Sequence, residues 1–219
     1  MGSGKMNAYL IYTPSLKKSE KLSNRALKTL KNHGISATLV ESFTPKNLKE
    51  SVSRLGLQFR LKPIFTDRRK TTKTTAPAWR IANGLTHFTL YQKAVELDEM
   101  ILIMEHDINC QKPLLDEYPD DGVTQITRHG ARKPENQYNL DYFEKSAKHG
   151  FREIAWEKGI VRHPGLHTHG TSGYVISPLA ASKMIEYIQN NGISNADIIS
   201  EDIVDNVYLQ IPQPMVTLQ

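Results

Sequence analysis

Short apolar runs alternate with helix-periodic stretches along this chain, and that alternation restricts the fold more than any other feature. Residues 7–13, "NAYLIYT", read as a strand broken by Pro14 and Ser15. Over residues 19–33, Leu22, Ala26, Leu27 and Leu30 recur at three- and four-residue steps, which predicts a helix. Gly34 suits the position just past its end. Residues 35–41, "ISATLVE", read as a second strand. A β-α-β opening belongs to a parallel sheet with crossover helices. Pro45 opens a short helix over about 45–55, and Pro77 a long one over about 77–97 with Ile81, Leu85, Phe88 and Val95 on one face. Strands are expected at 100–104, 122–127 and 172–177. A helix over 178–191, with Ala181, Met184, Ile185 and Ile188 inward, stops at Asn191-Gly192. A short helix from about Ser194 and a strand near 207–211 close the pattern. The expected fold is one α/β domain, a mostly parallel central sheet with helices on both faces.

Bulk properties exclude some classes. No apolar run approaches the roughly 20 residues that cross a bilayer, and "MGSGK" lacks the apolar core of a secretory signal. Residues 1–5 read as a cloning remnant, leaving 6–219 as the domain. A single cysteine, Cys110, excludes an intrachain disulfide and reads as a small buried hydrophobe. These features lead to the expectation of a cytoplasmic protein. The net charge of +5 is unevenly spread: residues 60–75 hold six Lys or Arg against one Asp, and residues 94–127 hold nine acids against one Lys. A basic loop beside an acidic rim fits a phosphate-bearing ligand plus a cation, and equally a solvated loop beside an unrelated acidic surface.

The apolar run Ile101–Met104 leads straight into Glu105, His106 and Asp107. In an open α/β sheet, ligands sit outside the carboxyl ends of the parallel strands. In an extended segment Glu105 and Asp107 point the same way, so both can share a hard divalent cation, Mg²⁺ or Mn²⁺. A nearby imidazole favours Mn²⁺. Downstream, "HPGLHTHGTSGYVIS" supplies His163, His167 and His169, any of which can be a third ligand or part of a surface turn. Asn83 and His87 are four apart and share a helix face, which is expected either to line the site beside the metal or merely to hydrogen-bond the sheet edge.

The order of these segments resembles glycosyltransferase family 25, the lipopolysaccharide-biosynthesis and collagen-galactosyltransferase type. The resemblance rests on "NGLTHFTLYQKAVE", the apolar strand ending in "EHD", "TSGYVISPLAASKMI", Asp197 and "PQPMV", and runs from about residue 8 to 216. Gly84, Thr86 and His87 stand where the family carries Gly and Ser-His. Glu105, His106 and Asp107 stand where it carries Glu-Asp-Asp, so His106 is a departure. Thr171, Tyr174, Ile176, Ser177 and Ala181 match its next segment.

The resemblance implies a single GT-A type domain and an inverting sugar transfer from a UDP-type nucleotide sugar. Inversion needs a base on the acceptor face. Asp197 aligns with a family acid, while Glu201 and Asp202 resemble the acid pair of other GT-A enzymes, with Asp202 as the base. Asp107, Glu105 and His169 are the expected metal ligands. Lys17, Lys18 and Arg25, around the turn after the first strand, are expected at the nucleotide end with Asn83, His87 and Glu105. The acceptor is a glycan such as lipopolysaccharide or a hydroxylated base in DNA. For DNA, Arg68, Arg69, Lys70 and Lys73 would neutralise phosphates. A non-catalytic nucleic-acid-binding domain with a decayed transferase site is the alternative that His106 supports.

Overall fold

The computed structural model describes residues 6–60, 78–128, 160–162, 170–210 and 213–217. Strand β1 (Asn7–Tyr12), helix α1 (Lys17–Asn32) and strand β2 (Ala37–Glu41) form the opening β-α-β unit, with β1 and β2 parallel. A 3-10 turn at Pro45–Asn47 leads into α2 (Leu48–Arg54). After α3 (Ala78–Leu97) come β3 (Ile101–Glu105), β4 (Ile108–Cys110), β5 (Val123–Gln125), β6 (Thr127–Arg128) and β7 (Ile160–Arg162). The chain then forms β8 (Gly173–Ile176), α4 (Pro178–Asn191), α5 (Glu201–Val204), β9 (Val207–Gln210) and β10 (Met215–Thr217).

The main sheet has seven strands in the order β2-β1-β3-β8-β5-β9-β7. Five run in one direction; β8 and β7 run against them. A smaller sheet, β4-β10-β6, branches off where β3 ends. Side-chain parity sorts the core into two layers. Ile101, Ile103, Tyr174, Ile176, Val207 and Leu209 face α2, α3 and α4. Ala8, Leu10, Leu102, Met104 and Val175 face α1 and the small sheet. Helices therefore cover both faces. Ten residues of α3 are buried, Thr86 and His87 among them, so this helix is central rather than amphipathic.

Most expected elements form, with local corrections. Val95 is 41 % exposed, and Tyr91 and Ala94 are buried on α3 instead. Expected strand 122–127 breaks at Ile126, which turns into the small-sheet core, so β5 and β6 enter different sheets. Residues 194–200 form no helix; α5 begins only at Glu201. Ile193, Ile198 and Ile199 are buried in the main core and Ser194 lies against α3, so this segment follows its neighbours rather than its own helical bonds. Gly34 and Gly192 end α1 and α4 at positive φ, 75° and 82°. Cys110 is buried, with its Sγ donating to the Lys112 carbonyl at 3.3 Å.

Candidate active site

Parity places the acid at the end of β3. Ile101 and Ile103 face α3, and Glu105, two residues on, continues that side and meets α3. Three donors converge on its Oε1: Asn83 Nδ2 at 2.9 Å, Thr171 Oγ1 at 3.0 Å and His87 Nε2 at 3.3 Å. Among the described residues nothing bonds Oε2. Burial alone would raise the Glu105 carboxyl; hydrogen bonding and attraction from His87, helped by Asn83 and Thr171, outweigh it and hold it at about 2. Behind it, His87 is fully buried. A carboxylate can only accept, so Nε2 donates to Glu105, and Nδ1 meets the Tyr174 hydroxyl at 2.7 Å. Tyr174 donates on to the Tyr91 hydroxyl at 3.2 Å and stacks against the imidazole at 5.8 Å, 15° from parallel.

His106 and Asp107 form the turn between β3 and β4. The expected extended "EHD" is therefore corrected: the chain must bend there to enter the small sheet. Glu105 and Asp107 still line one cleft, of about 290 Å³, with Trp79, Arg80, Asn83, Thr171, Asn195 and Asp197. His106 is half-buried and is not part of that lining. Asp107 Oδ1 is buried with no hydrogen-bond partner among the described residues. Burial, and then the Glu105 charge, push its carboxyl up to about 6.

The opposite wall depends on a close backbone approach. A Cβ on Gly84 would lie 2.1 Å from the Ser194 carbonyl oxygen, so only glycine lets the 194–197 segment press on α3. Pressed there, Asp197 sits in a turn at the cleft, exposed, with Oδ1 3.3 Å from the Thr171 hydroxyl. The single Thr171 hydroxyl proton is thus within reach of both carboxylates, Glu105 at 3.0 Å being the nearer.

Residues 8–200 of this chain match the family model described as Glycosyltransferase family 25 (LPS biosynthesis protein). The chain belongs to glycosyltransferase family 25. No curated protein is similar enough to count as a further relative. The family 25 span contains Asn83, Glu105, Asp107, Thr171 and Asp197, every one of them in the cleft. Membership makes the protein a glycosyltransferase, with a sugar donor and an acceptor. No helix among the described residues is long and apolar enough to cross a membrane.

The other expected site residues of this family 25 chain fall in several places. Lys17, Lys18 and Arg25 are exposed on α1 and do not line the cleft, although the Lys18 charge reaches both His106 and Asp107. Arg25 lies roughly 10 Å further along the helix axis. Asp202 is exposed and outside the cleft lining, and the Glu201 side chain lies outside the described residues. Also outside them are His163, His167 and His169, the basic Arg68, Arg69, Lys70 and Lys73, and residues 1–5. Sequence pattern does not mark Trp79, Arg80 and Asn195 in the lining, or the Tyr174–Tyr91 pair behind His87, as site residues. A helix start, a loop and a buried strand are ordinary places for such residues. Only Gly84 and Thr171, which also match the family pattern, hinted at the wall they build.

Proposed function

We propose that this chain transfers a sugar, with inversion, from a UDP-type nucleotide sugar to a hydroxyl of a lipopolysaccharide-type glycan, assisted by a divalent cation. The observation that carries this reading is the buried Asp107 Oδ1, without a hydrogen-bond partner among the described residues, in the family 25 cleft that Glu105 also lines. A buried carboxylate oxygen without a partner is costly, and a hard cation restores its missing interaction. Among the described residues no three His, Cys, Asp or Glu side chains group closely enough to hold a metal. The residues fit an Mg²⁺- or Mn²⁺-like ion that Asp107 and Glu105 would hold, with phosphate oxygens and water completing its ligands. Such an ion, when bound, offsets the charge of a departing diphosphate.

The chain's own residues supply the remainder. Asn83, His87 and Thr171 all grip one Glu105 oxygen, which orients the carboxylate and keeps it ionised. Asp197 is the base: it is exposed at the far wall, and among the described residues its Oδ2 has no hydrogen bond, so it can take the proton of an acceptor hydroxyl. Trp79, 60 % exposed with the Arg80 guanidinium 5.2 Å from its ring centroid, flanks the acceptor entrance.

Thermal-shift titration with UDP, with and without Mn²⁺, tests the assignment. Asp107→Asn is expected to lose the metal-dependent shift, whereas Asp197→Asn keeps it and loses transfer. A parental shift in Asp107→Asn disproves the metal site.

A further inference from the structure

Helix α1 carries six cations, Lys17, Lys18, Lys21, Arg25, Lys28 and Lys31, against one acid, Glu20. All six are exposed. None forms an ion pair with another described residue; the described pairs involve His87, Lys93 and Lys183. At 3.6 residues per turn the cations fall within an arc of about 140°. Ser19, Ser23, Ala26 and Leu30, the buried positions, fall on the opposite side. One face of α1 thus seals the sheet, and the other is a basic strip about 21 Å long. Exposed helix cations usually alternate with acids that pair with them at four-residue spacing, and here that compensation is missing.

The strip starts at the same end of the sheet as the cleft: α1 follows β1, whose Ile11 is the register partner of Glu105, and Glu105 lines the cleft. At the same end Leu16, next to Lys17, is 57 % exposed. An apolar side chain adjoining clustered cations suits the boundary between headgroups and acyl chains, where charge attraction and a small apolar insertion add together. A nucleic-acid backbone would use the cations but not Leu16.

We propose that the exposed face of α1 docks this protein on an anionic lipid bilayer and holds the cleft at the surface, where a lipid-linked acceptor is presented. The acceptor part of this inference rests on the transferase reading above; the docking part does not.

The test is co-sedimentation of the full chain with phosphatidylcholine vesicles, with and without phosphatidylglycerol, at low and high salt. The variant is Lys21→Gln/Lys28→Gln/Lys31→Gln, whose three positions lie outside the cleft. The parent is expected to bind only the anionic vesicles and to leave them as salt rises. At about fivefold per lysine, the variant loses roughly 100-fold in partitioning. Leu16→Ala should leave the anionic vesicles at a lower salt concentration than the parent, because it has lost the apolar contribution that adds to charge attraction. Equal binding of parent and variant, equal binding to neutral vesicles, or binding to duplex DNA but not to vesicles would each overturn the proposal. The UDP and Mn²⁺ thermal shift, read on the same variant, is expected at its parental value. Loss of that shift in parent and variant alike, with vesicle binding retained, would count against the transferase reading and leave the docking face standing.

Discussion

Gly84→Ala should separate activity from stability. The added Cβ would stand 2.1 Å from the Ser194 carbonyl oxygen, 3.1 Å from the Asn195 carbonyl carbon and 3.2 Å from that of Ser194. Ordinary contact begins at 3.4 Å, and all three neighbours are backbone atoms, so helix and loop must part by about 1 Å. Alanine gains about 1 kcal/mol of helix propensity over glycine. Overpacking costs about 1–3 kcal/mol. The net loss is therefore between about 0 and 2 kcal/mol, a fall in Tm of a few degrees for a chain of this size. Asp197 moves with the loop, and its 3.3 Å contact with Thr171 is already long. A displacement of about 1 Å at a reacting group can cost on the order of 100-fold in rate. The expected result is a folded protein that keeps the proposed Mn²⁺-dependent UDP binding, because Glu105 ends β3 and Asp107 lies in the turn after it rather than on the displaced loop, and that transfers sugar about 100-fold more slowly. Differential scanning fluorimetry and a steady-state transfer assay read the two effects. Parental turnover in Gly84→Ala would show that the loop position does not set the base.

Tyr174→Phe strips a hydroxyl that serves both His87 Nδ1 and Tyr91, leaving buried polar groups short of a partner; a loss of about 1–3 kcal/mol is expected in urea unfolding. Tyr91→Phe, at the end of the array, should cost less. Trp79→Ala removes an exposed ring at the cleft entrance, so acceptor KM should rise while Tm stays within a degree or so of the parent. Burial raises the Cys110 thiol to about 11, so at pH 8 only about one molecule in a thousand carries the thiolate. Labelling by a thiol reagent should therefore await unfolding, and fast labelling of the native protein would contradict the burial. The same shift has a sign for stability. Between about pH 9 and 11 the folded chain keeps a proton that the unfolded chain has released, so stability falls as pH rises through that window.

The architecture was legible in the residues because burial imposes periods. Strands β1, β3 and β8 and helices α1, α3 and α4 all appear within a residue or two of where apolar spacing and the Gly34 and Gly192 stops put them. Parity alone sends Glu105 to the same side as Ile101 and Ile103. Less visible were the reversed strand β8, the small sheet that forces a turn at His106 and Asp107, and the absence of a helix at Ser194. Each of these depends on what the segment packs against, which local spacing does not encode.

The cleft shows the same division more sharply. The chain order alone supplied an acid at a strand end, a histidine and an asparagine one helical turn apart, and Lys17, Lys18 and Arg25 around the start of the first helix. Asn83, His87, Thr171 and Asp197 lie between 18 and 92 residues from Glu105 along the chain. They meet around it because α3, the segment before β8 and the Ser194 loop are all packed against the end of β3. Hydrogen bonds and unpaired oxygens reach only about 3 Å, so what Glu105 and Asp107 can bind is settled by contacts among distant parts of the chain.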